Sequence, residues 1–323
     1  MSLEIYFIQQ VVNAISIGSL YALMAVGLAM VFGILRLINF AHGDMMMVAA
    51  YLAVFALIAG QPVIVVLVLM VGGTVLIGLV MERVGYRPIR GAPEVAALLT
   101  SFAIGQILQN GTLLTTRLMN MRSPYPFPAI DFLSGVFTVG PITIPKLNAY
   151  SLIAAIILLG LLSWFVTRTN LGLSMRAAAQ DLQAAQLMGI NINRVIATAF
   201  AIGSGLAAVA GLFFAVQAGQ INPYMGFSPV LKAFIACVIG GFGSIQGAVV
   251  GGYVLGGLEV LLTAVPGLGD ILPATTPIRP FLQQWLPNTL TSYRDAFVFI
   301  ALILMLLVRP NGLLGKRERE EMK

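Results

Sequence analysis

Long runs without a charged residue, separated by short charged segments, form the pattern of this chain. The runs cover residues 5–35, 45–81, 95–116, 147–167, 195–231 and 233–258. An α-helix rises about 1.5 Å per residue, so crossing a hydrocarbon layer of about 30 Å takes about 20 residues. Each run therefore accommodates one membrane-crossing helix, and the two longest, 45–81 and 195–231, accommodate two.

Helices threaded between the charged segments give nine candidate spans. These are residues 10–34, 44–60, 62–82, 95–117, 148–167, 195–218, 229–243, 247–265 and 293–308. Strict alternation of apolar and polar residues is absent, and backbone polar groups in lipid must be satisfied within their own segment, so helices are indicated rather than barrel strands. The sequence predicts an all-α polytopic membrane protein with about 8–10 transmembrane helices.

The composition excludes an ordinary soluble fold. The chain is 59% hydrophobic and 9% charged, whereas a typical soluble domain has about 25% charged residues. Glu4 stands where a cleaved signal peptide would carry basic residues, so we expect the first span to be retained. The single cysteine, Cys237, excludes an internal disulfide and a multi-cysteine metal site.

The placement of lysine and arginine predicts the orientation in the membrane. Basic residues concentrate at Arg36, in 83–90, in 168–194 and in the tail 309–323. By the positive-inside rule, these segments face the cytoplasm. Proline-rich loops at 118–147 and 266–292 are then expected outside.

An internal echo divides the chain into two halves. Ile17, Gly18, Ser19, Ala22, Ala25, Gly27, Leu28, Ile38, Asn39 and Gly43 recur as Ile202, Gly203, Ser204, Ala207, Ala210, Gly211, Leu212, Ile221, Asn222 and Gly226. Chance recurrence of small residues is the alternative, but an Asn-x-x-x-Gly sequence follows each copy. We expect one membrane domain over residues 1–323, with a first half of about 9–147 and a second of about 148–310. The copies run in opposite directions in this threading, which is an inverted repeat.

Polar residues interrupt the apolar pattern in the segment 39–44, Asn-Phe-Ala-His-Gly-Asp. Polar groups at such depth are costly and often mark pathways or gates. A turn with helix capping explains them equally well, and one histidine and one aspartate without further partners make a weak catalytic site. The possible pathway or gate residues are Asn39, His42, Gly43, Asp44, Asn222 and Gly226.

A short amphipathic helix is predicted on the cytoplasmic side over about 174–190. Ser174 is a candidate N-cap and Gly189 a candidate C-terminal stop. The segment is too polar to span the membrane and has few basic residues for a lipid-surface helix, so its shape favours docking into a groove of a partner. The residues singled out in it are Arg176, Gln180, Asp181, Leu182, Ala185 and Gly189.

The sequence contains no phosphate-binding loop of the form Gly-x-x-x-x-Gly-Lys-[Ser/Thr]. Any ATP hydrolysis would therefore come from another chain. We expect no catalysis by this chain, no cofactor, no metal and no nucleic-acid partner. Lys232 and Glu259, the other ionisable residues within spans, could snorkel, pair or line a pathway.

The motifs taken together resemble the LivH-type permeases, the membrane subunits of high-affinity branched-chain amino acid ABC importers. The resemblance lies in residues 33–44, 175–191, 221–226 and 240–252 and extends over almost the whole chain. It implies a type II ABC importer-like permease of the bacterial inner membrane that carries branched-chain or other small neutral amino acids, with 174–190 as the coupling helix. It also implies a second homologous permease subunit, two cytoplasmic ATP-binding subunits, a periplasmic or lipid-anchored substrate-binding protein, and surrounding membrane lipid.

Two alternatives remain at this point. Related permeases carry urea or amides, and the long 266–292 loop departs from the family pattern, which leaves open which binding protein docks there. A different class, an ion-coupled secondary transporter, would use Asp44, Glu259 or Lys232 in ion coupling. Co-purification of ATPase subunits would distinguish the importer from a free-standing carrier.

Overall fold

Helices occupy all nine positions at which the sequence predicts a span. The computed structural model describes residues 2–273, 276–284, 286 and 293–315. Its helices are α1 (Leu3–Leu35), α2 (Ala41–Ile58), α3 (Val63–Val80, continued by a π-helical turn at Met81–Tyr86), α4 (Glu94–Leu118), α5 (Lys146–Arg168), α6 (Asn170–Gln180), α7 (Leu182–Leu187), α8 (Ile192–Ala218), α9 (Phe227–Gly240), α10 (Ile245–Ile271), α11 (Arg279–Gln284) and α12 (Arg294–Val308).

Within the described residues, six helices are long and apolar enough to cross a membrane. They are α1, α2, α3 with its π-helical turn, α5, α8 and α10. Helix α4 is long enough but less apolar, because it carries several amide and hydroxyl side chains, while α9 and α12 are short. The chain is thus an all-α, multi-pass membrane protein, and three of its nine predicted spans differ in length or polarity from a simple lipid-facing helix.

Short strands lie at the end of the molecule opposite the basic segments. Strand β1 (Tyr125–Pro126) pairs antiparallel with β4 (Gln220–Ile221), and β2 (Val136–Val139) pairs with β3 (Ile142–Pro145). Pairing of β1 with β4 ties the predicted outer loop of the first half to the turn that precedes α9. The loop 118–147 is therefore anchored to both halves of the repeat.

Helix α1 runs antiparallel to α10 at very close range. A Cβ built on Gly256 would lie 2.4 Å from the backbone nitrogen of Gly18, and one built on Gly252 would lie 2.5 Å from that of Ala22. As the residue number rises in one helix it falls in the other. Small residues allow this approach, which compensates in lipid for the weak hydrophobic drive between helices.

The two echoed helices, α1 and α8, also cross antiparallel. Gly27 and Val31 lie against Gly203, whereas Leu20 belongs to the same apolar cluster as Leu212, further along α8. The first copy of the repeat therefore runs opposite to the second. This is the relative direction that the inverted-repeat interpretation predicts.

Contacts gather the basic segments at one end of the bundle. Arg90 donates a hydrogen bond to the side chain of Asn193, and Gly33 lies beside the carbonyl oxygen of Gly243. The backbone of residues 313–314 donates hydrogen bonds to the end of α9. The segments brought together are Arg36, 83–90, 168–194 and 309–315. This is the charge asymmetry expected of a cytoplasmic face; residues 316–323 of the predicted cytoplasmic tail lie outside the described residues.

The glycines of the two Asn-x-x-x-Gly sequences touch each other. A Cβ on Gly43 would lie 2.1 Å from the carbonyl oxygen of Gly226, and a Cβ on Gly226 would lie equally close to that of Gly43. Beside this contact, Met46 of α2 packs against Gly211, well inside the length of α8. The two echoed sequences therefore meet within the membrane thickness, where only a residue without a side chain fits.

We expect Gly43→Ala to destabilise the protein. The added methyl has to displace the backbone of Gly226, and overpacking of this kind costs about 1–3 kcal/mol. Thermal unfolding of the detergent-purified protein measures the effect. Gly72→Ala is the matched control, because nothing lies within 4 Å of a Cβ there and alanine favours a helix by up to about 1 kcal/mol. Equal melting temperatures for the two variants would contradict this packing.

Candidate functional site

Two helices begin inside the membrane, at the contact between Gly43 and Gly226. Neither α2 nor α9 has a side chain capping its N-terminus. The backbone precedes each helix in a tight turn, and in the second turn the Asn222 side chain accepts a hydrogen bond from the backbone N–H of Tyr224 at 2.9 Å. Helices that start at mid-membrane, with their N-termini facing a common centre, are typical of binding regions in transporters.

Asn39 and His42 anchor the first of these turns to its neighbours. The Asn39 side chain accepts a 2.9 Å hydrogen bond from the hydroxyl of Tyr86, in the π-helical turn. His42 is buried and lies against Gly27 of α1. Among the described residues, no group of three or more histidine, cysteine, aspartate or glutamate side chains could hold a metal. These two predicted gate residues thus face protein and fix the position of the turn.

Asp44 connects α2 to α4. Its carboxylate accepts a 2.8 Å hydrogen bond from the Gln109 side chain, and it approaches α4 at Gly105, where a Cβ would lie 2.4 Å from the carboxylate. Asp44 also lies in the first turn of α2, where the helix dipole favours a negative charge. The structure therefore brings five of the six predicted gate residues to the contact between the starts of α2 and α9, which we call the crossing. They are Asn39, His42, Gly43, Asp44 and Gly226. The sixth, Asn222, caps the turn that precedes α9.

Helix α4, the predicted span that is less apolar than the six crossing helices, exposes amide side chains. Gln106 and Asn110 are exposed, and the Asn110 side chain donates to the carbonyl oxygen of Gln106 at 2.8 Å. Uncovered amides are costly against lipid, so this face requires cover by protein or water. The three-to-four residue spacing of Gln106, Gln109 and Asn110 is the signal in the sequence that could have identified this face.

Aromatic rings extend the α4 face toward α9. Phe40 stacks on Phe102 of α4 with ring centroids 5.1 Å apart, and it contacts Phe234 of α9 at 5.9 Å. Phe102 remains 45% exposed. These ring contacts link α4 to α9 through Phe40.

A largely buried ion pair joins three helices. The ammonium of Lys232 in α9 lies 2.6 Å from the carboxylate of Glu259 in α10, and Tyr21 of α1 donates a 2.6 Å hydrogen bond to the same carboxylate. Asp295 of α12 lies 3.6 Å from the ammonium. Of the three uses left open for Lys232 and Glu259, pairing is the one observed.

The predicted cytoplasmic helix 174–190 is two helices, which corrects the expectation of a single rod. Helix α6 begins after Thr169, whose side chain caps it, so Ser174 is not the N-cap. Asp181 adopts extended backbone and accepts hydrogen bonds from the N–H groups of Gln183 and Ala184 at 2.8 and 2.9 Å. An aspartate is among the strongest N-caps, and here it starts a new helix. Gly189, with φ 82°, ends the segment as its residue type predicts.

The apolar face of this segment packs on the protein itself. Met175, Ala178 and Ala185 are buried in the main core and Leu182 packs against it, so Leu182 and Ala185 do not face a partner as expected. Arg176, Gln180, Asp181 and Gly189 are exposed. The residues that sequence reasoning missed are Leu187 and Met188, which are 88% and 83% exposed at the tip of the segment.

Comparison with known proteins places the chain in a family. Residues 10–308 match the family described as branched-chain amino acid transport system / permease component. The chain is 36% identical to the high-affinity branched-chain amino acid transport system permease protein BraD of Pseudomonas aeruginosa, over 98% of this chain and 99% of that protein.

Two further relatives extend the comparison to other organisms. The permease protein LivH of the same kind of system in Escherichia coli K12 is 37% identical over 98% of each chain. A probable branched-chain amino acid transport permease protein LivH of Methanocaldococcus jannaschii is 25% identical over 94% of this chain and 91% of that protein. The family match and the near full-length identity agree with the fold, and the chain therefore belongs to the family of branched-chain amino acid transport system permease components.

Proposed function

We propose that this chain is the membrane-spanning permease subunit of an ATP-driven importer that moves branched-chain amino acids across the bacterial inner membrane. Identity of 36–37% with permeases of such systems, over nearly the full length of both chains, carries the proposal. The inverted repeat and its mid-membrane crossing support it, because transporters use this architecture to open a path on alternate sides.

The importer requires other chains. We assign two cytoplasmic ATP-binding subunits to the basic end, a substrate-binding protein to the outer end with its paired strands, and a second, homologous permease to the face of α4 and α9. The exposed amides Gln106 and Asn110 support the last assignment, because a second permease or a water-filled path between the two would cover them.

The coupling segment, residues 170–190, is built to transmit force. Its N-terminal helix follows α5 directly at Thr169, and its C-terminal helix leads through Asn191 into α8. The link between Asn193 and Arg90 joins the start of α8 to the turn that follows α3. Movement of the tip would therefore displace α5 and α8 together and shift the crossing of α8 with α1. In this mechanism, ATP-driven closure of the two ATP-binding subunits moves this segment, rocks the two halves of the repeat, and opens the path on alternate sides of the membrane.

An ion-coupled carrier is less well supported. Glu259 is paired with Lys232 and Tyr21, and Asp44 is held by Gln109. Each carboxylate thus has a structural partner. The relatives favour branched-chain amino acids over urea or amides as the substrate, and uptake assays with the binding protein present test this choice.

We expect the coupling segment to be reachable only from the cytoplasm. Met188→Cys should react with a membrane-impermeant thiol reagent in inside-out vesicles, and Phe132→Cys, in the outer loop, should react in right-side-out vesicles. The native Cys237 is fully buried, so background labelling is low. Labelling of Met188→Cys from the outer side would contradict the orientation and the ATPase assignment together.

We expect the double variant Leu187→Asp, Met188→Asp to lose its ATP-binding subunits. Burial of one large apolar side chain contributes about 1.5–3 kcal/mol, so introducing two charges at the tip should lower ATP-driven uptake by at least about tenfold. Co-purification and uptake in proteoliposomes measure the loss, while the amount of membrane-inserted permease should not change. Met119→Asp, an exposed apolar position at the outer end, is the control and should retain both. Normal assembly of the double variant would overturn the docking assignment.

A further inference from the structure

A cleft opens between α9 and α12 beside the buried ion pair. It has a volume of about 250 Å³ and is lined by Ser228, Leu231, Lys232, Ile235, Asp295 and Val298, among others. Most of the residues that line it are apolar, aliphatic and aromatic, and the charged groups among them are one ammonium and one carboxylate. Apolar walls with a few convergent polar groups are the usual composition of a small-molecule site.

The two charged groups differ in how fully they are satisfied. Lys232 has three N–H donors; Glu259 lies 2.6 Å from its nitrogen and the Tyr21 hydroxyl 3.2 Å away. Asp295, at 3.6 Å, is beyond hydrogen-bond distance, and its side chain is 62% exposed. One ammonium donor and most of the Asp295 carboxylate are therefore available to a ligand.

The depth of the cleft matches that of the mid-membrane crossing. Phe227, the first residue of α9, also lines the cleft and directly follows Gly226, which touches Gly43. Phe227 and Ser228 are exposed, so the first turn of α9 is open on the side of the cleft. The site thus adjoins the point where the two halves of the inverted repeat meet.

We propose that this cleft binds the zwitterionic α-amino acid during passage, an inference that rests on the proposed function and names its binding residues. The substrate carboxylate approaches the free donor of Lys232, the substrate ammonium approaches Asp295, and a branched side chain packs on Leu231, Ile235 and Val298. Lys232 and Arg294 balance Glu259 and Asp295 in charge. A zwitterion therefore enters without adding net charge to a site inside the membrane, whereas an anion or a cation would add one.

Occupancy is tested directly by thiol protection in the assembled importer. Phe299→Cys places a thiol at the rim of the cleft, since Phe299 lines it and is 43% exposed, and the native Cys237 is buried. L-Leucine should slow the labelling of this thiol severalfold. Isopentylamine and 4-methylpentanoate, which each lack one of the two charges, should not, and adding Asp295→Asn should abolish the protection by leucine.

Each result of this assay decides the proposal. Equal protection by all three compounds would show an apolar cleft without zwitterion recognition and would overturn it. Absence of protection by leucine, or full protection in the Asp295→Asn background, would overturn it as well.

Transport provides the second test. Asp295→Asn and Leu231→Trp should each lower ATP-driven leucine uptake by roughly tenfold or more, since the first weakens a charge-assisted hydrogen bond and the second fills the cleft. ATP hydrolysis and co-purification of the ATP-binding subunits should be retained. Asp131→Asn and Leu161→Trp, at exposed positions away from the cleft, are the matched controls and should transport normally.

The two tests separate this proposal from the proposed function. Uptake of branched-chain amino acids at wild-type rates by Asp295→Asn and Leu231→Trp would refute the cleft and leave the importer standing. Protection of the Phe299→Cys thiol by leucine, together with no ATP-driven uptake of leucine, isoleucine or valine by the wild-type complex, would refute the importer and support the cleft. Uptake of urea alone, without protection by leucine, would refute both.

Discussion

Backbone contact without intervening side chains is the constraint on which this structure depends. At Gly43 and Gly226, two backbone segments of this chain approach so closely that a single methyl group would collide with the opposite backbone. The same holds where Gly252 and Gly256 of α10 meet α1. Lipid offers little hydrophobic drive for helix association, so dispersion contacts over such interfaces have to supply much of it. The same contacts hold the two halves of the inverted repeat in register around one central crossing.

Polar groups inside this bundle are placed where another element can satisfy them. Asn39 meets Tyr86, Asp44 meets Gln109, and Lys232 meets Glu259. Each pair joins elements far apart in sequence, so the cost of burying it is offset by a hydrogen bond or an ion pair that also fixes the position of those elements. The polar groups left exposed, on α4 and in the cleft beside Lys232, lie on faces that a partner permease or a substrate would cover.

Much of the architecture was predictable from local patterns. Threading helices between the charged segments located nine of the helices, and the spacing of arginine and lysine grouped the segments that share one end. The echo of residues 17–43 in 202–226 predicted the inverted repeat. The cytoplasmic segment was predicted as one helix, because its apolar face continues in phase across Asp181. Capping by that aspartate is a local preference that competes with helix continuity, and the sequence pattern alone did not decide between them.

The sequence by itself determined which segments enter the membrane, which end carries the positive charge and which family the motifs resemble, because these follow from transfer free energy and residue spacing along the chain. Only the tertiary structure decided the partners of the buried groups. Tyr21, Lys232 and Glu259 come from three helices far apart in sequence, and the apolar face of the coupling segment could equally have met a partner or its own core. Such choices depend on which surfaces the fold brings within contact distance, and no periodicity within one segment records that.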